Sequence, residues 1–80
     1  MIKARITVTL KKGVLDPQGK AIEGALSGLG FNTVEEVRQG KVFDLRIKGT
    51  SKKKAESELV LMCEKLLANL VIEDFQVEIL

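Results

Sequence analysis

The chain opens on strict alternation. Ile2, Ala4, Ile6, Val8 and Leu10 fall on one side, with Lys3, Arg5, Thr7 and Thr9 on the other. Period two over this stretch predicts a strand with one buried face. Farther on, Ile22, Ala25, Leu26 and Leu29 repeat at i, i+3, i+4 and i+7, the stripe of an amphipathic helix. Asp16 marks its start, because a carboxylate there accepts from the free N–H groups of the first turn. Pro17 follows at the first helical position, where its missing N–H costs nothing. Gly30 suits the residue just past the last turn. Together these signals predict a helix from Pro17 to about Leu29.

The stretch "TVEEVRQGKVFDLRIK" predicts two strands folded back at Gln39-Gly40. Its second arm alternates well, with Phe43, Leu45 and Ile47 inward and Asp44, Arg46 and Lys48 outward. In the first arm Val34 and Val37 are three apart, which breaks period two and predicts a bulge or a short, twisted edge strand. Gly49 and Thr50 form a loop, and Ser51 is a second N-cap. Ala55, Leu59, Met62, Cys63 and Leu66 then share one face of a second helix that ends near Asn69. Phe75, Val77 and Ile79 alternate with Asp74, Gln76 and Glu78 in a last strand. The order βαββαβ predicts an α+β fold of the ferredoxin-like, split βαβ kind. Residues 1–80 form a single domain: a four-stranded antiparallel sheet with both helices on one face.

The other sheet face is left uncovered. Lys3, Arg5, Thr7 and Thr9 would lie between Val42, Asp44, Arg46 and Lys48 on one neighbour and Gln76, Glu78 and Leu80 on the other. Ion pairs from Arg5 to Asp44 or Glu78 are expected across the strands. Two readings of this face stay open. It is a solvated, mixed-charge surface, or it is a dimer face in which Arg5, Thr7, Arg46 and Leu80 lose solvent.

Composition narrows the function. Eighty residues bury a small core, so a partner or a second copy would cover more surface. Thirteen basic against eleven acidic residues leave a net charge of only +2, too little to imply a polyanionic partner. One cysteine excludes an internal disulfide and suits a reducing, cytoplasmic setting. The charged N-terminal alternation is not a signal peptide, and no apolar run has the length of a membrane span.

Candidate chemistry is sparse. The chain has no His, Trp or Tyr, and a nucleophile usually needs a base beside it. Cys63 falls in the apolar stripe of the second helix and reads as a small core hydrophobe. The acids do not cluster at metal-ligand spacings. RNA recognition on this fold stacks bases on aromatics of the open face; here Phe43 and Phe75 alternate inward. No catalytic, cofactor or metal residue is assigned, and no nucleic acid or membrane partner. Lys52, Lys53 and Lys54 occupy a first helical turn, where cations are disfavoured; they form a solvated start or a patch for an acidic partner.

More specific words go further. "LKKGVLDPQGKAIEGAL", "VRQGKVFDL", and "CEKLLAN" followed by "VIEDF" resemble the PurS family, the small subunit of phosphoribosylformylglycinamidine synthase in purine biosynthesis. The resemblance covers essentially the whole chain. It departs at Leu70, where the family usually has proline, and at Phe75, where tyrosine is common. It implies a non-catalytic subunit, a homo-oligomer (dimer or tetramer), that joins the synthetase subunit PurL to the glutaminase subunit PurQ. ATP, Mg and glutamine would then be used by those partners, with no cofactor in this chain. It further implies that Leu15, Asp16, Pro17, Gln18 and Gly19, with Arg38, Gly40 and Lys41, are candidate partner contacts. Asp16 and Pro17 start the helix; Gly19 would leave bare backbone for close approach, and Gln18 both a donor and an acceptor. Arg38 either pairs with a partner carboxylate or is a solvated turn cation. The same topology also serves small-molecule-binding regulatory domains of the amino-acid-sensing type, the alternative reading.

Overall fold

The computed structural model describes residues 1–80. The three clean alternations become strands: β1 (Ile2–Leu10), β2 (Gly40–Ile47) and β3 (Glu73–Ile79). They form one antiparallel sheet in the order β2-β1-β3. Ile6 pairs with Phe43 on one side and Val77 on the other, so the apolar residues of all three strands share one face. Ile2, Ala4, Ile6 and Val8 are buried there.

The sheet has three strands, not the four expected. Residues 34–39 form no strand, and Gln39-Gly40 is not a hairpin turn. Side chains explain this. The N–H of Val37 donates to Glu23 Oε2 at 3.1 Å and that of Gln39 to Asp16 Oδ2 at 2.8 Å. Carboxylates take the donors that a neighbouring strand would have taken, and the broken period two gives the segment no continuous apolar face.

Helix α1 spans Pro17–Gly28 with Asp16 as its N-cap. Its C-terminus closes as expected. Gly30 has φ +97°, and the N–H groups of Gly30 and Phe31 donate to the carbonyls of Ser27 and Leu26, the Schellman arrangement that ends a helix on a left-handed residue. Helix α2 spans Lys52–Met62, where Ser51 Oγ accepts from Lys54 N–H at 3.3 Å. It runs on into one π-helical turn, Cys63–Leu67, closed by the bond from Ala68 N–H to Cys63 C=O. The wider turn corrects the expected face: Leu66 swings out to 82% exposure, and Ala68 comes in beside Cys63 and Leu59.

The second correction concerns the layers. Only α2 covers the sheet, packing on β1 and β3. Helix α1 and the segment that returns from it project as an arm, leaving Leu29 and Phe31 exposed and Ile22 partly so. The molecule therefore measures 49 × 25 × 14 Å, with a radius of gyration of 16.1 Å; a compact chain of this length would have about 12 Å.

Candidate partner interface

Three loops meet at the end of the sheet where β1 stops: residues 11–16, 34–39 and 68–72. Asp16 holds the first two together. Its Oδ1 accepts from Gly19 N–H and its Oδ2 from Gln39 N–H, each at 2.8 Å. These two bonds, the larger first at Gly19, hold the Asp16 carboxyl below its ordinary pKa, with the Arg38 charge assisting against partial desolvation. Arg38 serves the same construction. One guanidinium nitrogen donates to the carbonyls of Lys11 (3.0 Å) and Val14 (2.7 Å), while the other lies 3.8 Å from Glu36. The guanidinium fork thus fastens the first loop to the segment leading into β2.

The glycines of this region have internal reasons. A Cβ on Gly19 would collide with the carbonyl oxygen of Val37, and one on Gly40 with that of Val8. The bare backbone at Gly19 lets the returning segment of this same chain pass close by. Gln18 accepts from the side-chain amide of Gln39. Lys41 Nζ lies 3.9 Å from Glu73 and 5.9 Å from the centroid of the Phe43 ring. A cleft of about 240 Å³ opens among Leu10, Gln18, Gln39, Lys41 and Glu73.

The third loop is tied on separately. Asn69 N–H donates to Glu73 Oε1 at 2.6 Å, Val71 N–H to Asn69 Oδ1 at 3.1 Å, and Lys11 N–H to Ile72 C=O at 2.9 Å. The result is a pinned surface with Leu15 67% and Val71 82% exposed at its rim. The eight candidate residues lie in this loop cluster or in the first residues of α1 and β2 beside it. Asp16 and Gly19 are buried in it, the Arg38 guanidinium is turned back onto the Lys11 and Val14 carbonyls, and Leu15, Pro17, Gln18, Gly40 and Lys41 are exposed. Glu23 and Gln39 are equally part of it but carry no sequence signal, because their partners Val37, Asp16 and Gln18 lie far along the chain, while Asn69 bonds within its own turn, to Val71 and Glu73.

The uncovered sheet face has the expected pair, Arg5 Nε to Asp44 Oδ1 at 2.8 Å. That hydrogen bond and the Asp44 charge raise the Arg5 pKa, with Glu78 adding to them. Arg5, Arg46 and Leu80 border one shallow depression on this face, and Thr7 continues the line along β1. Cys63, by contrast, is fully buried, and burial pushes its thiol pKa up. That environment disfavours the thiolate a nucleophile needs. No helix of the chain is long and apolar enough to cross a membrane.

A small α+β sheet domain, with a pinned loop cluster at one end and its one thiol sealed in the core, is the class of protein the structure defines. The chain belongs to the PurS family: the family model for phosphoribosylformylglycinamidine (FGAM) synthase matches residues 3–80. The PurS subunit of Methanocaldococcus jannaschii is 46% identical over 79 residues, covering 99% of this chain and 95% of that one. The solved PurS of Bacillus subtilis superposes with a TM-score of 0.90 at 45% identity, covering 100% of this chain and 99% of its own. A chain in the structure of PurLQS from Thermotoga maritima gives a TM-score of 0.90 at 34% identity, covering 99% and 96%. The chain is accordingly a subunit of FGAM synthase, an enzyme of purine biosynthesis.

Proposed function

We propose that this chain acts by position, as a homo-oligomeric joint between the glutaminase and the ATP-dependent synthetase subunits of FGAM synthase. Ammonia released from glutamine at neutral pH is protonated or lost if it escapes into water. Holding the two active sites in register raises its effective concentration at the second site. ATP, Mg and glutamine then belong to the partner subunits, and this chain supplies geometry alone.

The observation that carries the reading is the pinned loop cluster. Leu15, Pro17, Gln18 and Lys41 are offered outward by loops already fixed through Asp16, Arg38 and Asn69, so binding them orders little new chain. The relative in PurLQS of Thermotoga maritima, at 34% identity over nearly its whole length, supports partners of that kind. A regulatory ligand site has no comparable support, since the cleft beside Gln18 is small and open.

Reconstitution tests it. With the synthetase and glutaminase subunits of the same organism, FGAM formation from glutamine should require this chain, whereas formation from added ammonium salt should not. Equal dependence of both reactions on the chain, or of neither, overturns the positional role. Gln18→Ala should leave the fold intact and weaken co-purification with the partners; unchanged assembly removes this loop from the interface.

A further inference from the structure

The charges of the chain are not spread evenly. Between Asp44 and Glu56 the sequence holds Arg46, Lys48, Lys52, Lys53 and Lys54 and no acid. The sheet adds a sixth cation, since Lys3 lies directly opposite Arg46 across β1 and β2. All six residues are exposed, and none is in an ion pair.

This placement lowers stability twice. Like charges opposite one another on a sheet repel. Three lysines also fill the first turn of α2, which has no acid, and there the helix dipole disfavours cations. Two separate elements thus give up stability to gather charge of one sign at one end of the molecule. Local rules broken with no gain inside the chain mark a functional surface.

The same end has a receptacle. Lys48, Thr50, Ser51, Lys54 and Glu58 border a depression of about 310 Å³. Glu58 pairs with neither lysine, and the Ser51 hydroxyl, which accepts from Lys54 N–H, still has its own O–H to donate. Two ammonium groups and two hydroxyls together suit an incoming carboxylate side chain.

Position and class of partner follow. β1 starts at this end and stops at the loop cluster, nine residues and roughly 30 Å away. A chain that joins two subunits needs two separate surfaces, and these ends supply them: pinned loops at one, fixed charge at the other. In the chain as a whole the seven remaining basic side chains are outnumbered by eleven acidic ones, so a long polyanion tracking across the molecule meets repulsion. Residues 44–56 also contain no aromatic on which a base could stack. A compact acidic patch on a protein fits.

We infer that this basic end is a second docking surface, which binds an acidic patch on one catalytic subunit while the loop cluster meets the other. This docking rests on the positional role proposed above and gives the second contact its chemistry. Charge of this kind steers association as well as holding the complex.

Carbodiimide coupling tests it, because the reagent joins an ammonium to a carboxylate only where the two touch. In the reconstituted three-subunit assembly, coupling and peptide mass spectrometry should link Lys48, Lys52, Lys53 or Lys54 to an Asp or Glu of a catalytic subunit. Reversing two charges, Lys52→Glu with Lys53→Glu, should raise the concentration of this chain needed for half-maximal glutamine-dependent FGAM formation about tenfold or more. The variant's melting temperature should equal or exceed the parent's, because acids suit the first turn of a helix; lost docking is thereby told apart from lost folding. Links to neither catalytic subunit, or only to a second copy of this chain, overturn the docking, as does equal assembly of parent and variant. So does a parent chain that binds RNA or anionic vesicles as tightly as it binds the subunits. Where glutamine-dependent synthesis still requires the chain, the positional role stands without this contact; loss of that requirement overturns both.

Discussion

Two glycines in one helix separate backbone propensity from backbone contact. Gly24 has open space where a Cβ would go, whereas Gly19 faces the Val37 carbonyl. Gly24→Ala should therefore stabilise the chain by roughly 0.5–1 kcal/mol, the ordinary gain of alanine over glycine in a helix. Gly19→Ala should destabilise it by roughly 1–3 kcal/mol, as overpacking does, despite the same gain in propensity. Urea melts of the two variants check both signs. Asp16 makes a different statement, through pH. Its native pKa lies below the unfolded one, so its contribution is fully present above the unfolded value of about 3.9 and is lost as pH falls through the lower native value. Asp16→Asn should lower the melting temperature at pH 7 by several degrees or more, roughly 5 °C. It should also flatten the decline of stability expected for the parent chain below pH 4. Parallel pH profiles for the two chains would show that this carboxylate is not the group responsible.

Among the elements, those with a local cause were legible in the sequence. Three strands followed from period two, the helix starts from Asp16-Pro17 and Ser51, and the end of α1 from Gly30. One failure depended on partners distant in the chain and another on a local irregularity. The segment 34–39 reads as a poor strand because only the folded chain shows that Glu23 and Asp16 take its N–H groups. The π turn, closed by the bond from Ala68 N–H to Cys63 C=O, is recorded by no periodicity, and Leu66 within it lies at the surface instead of in the expected core. The loop cluster was half legible: Asp16, Gln18 and Gly19 stood out, while Glu23 and Asn69 look like any polar residue. An element-scale test uses the start of α2. Ser51 caps it, but Lys52, Lys53 and Lys54 place no acid in its first turn. Lys54→Glu would complete a capping box with Ser51 and reverse an unfavourable charge at the helix N-terminus, for about 0.5–1 kcal/mol. The gain in thermal melting should shrink in high salt, since an exposed charge at a dipole is screened; a salt-independent gain would point to packing instead.

At the scale of the whole molecule, the stripe on α1 teaches a further point. Its apolar spacing correctly signalled a helix, but the expectation that the helix lies on the sheet fails, since Leu29 and Phe31 stay exposed. A protomer 49 Å long with ten buried residues has too little core of its own, so its melting temperature should rise with concentration as association is coupled to folding. Scans at tenfold dilutions check this, and a constant melting temperature across them would show a self-sufficient monomer. The other side of the sheet has a consequence of its own. β3, Glu73–Ile79, is an edge with no proline and no lysine, and the only charges along it are Glu73, Asp74 and Glu78. Natural edge strands are kept apart by charge, proline or distortion, and here carboxylates do all of it. Replacing all three by their amides, Glu73→Gln, Asp74→Asn and Glu78→Gln, removes that charge and leaves Phe75, Val77 and Ile79 as they are. The seven-residue edge then becomes a template on which further strands can add, and the purified triple variant should turn to thioflavin-positive fibrils at neutral pH where the parent chain does not, which a further Gln76→Lys substitution on that edge delays.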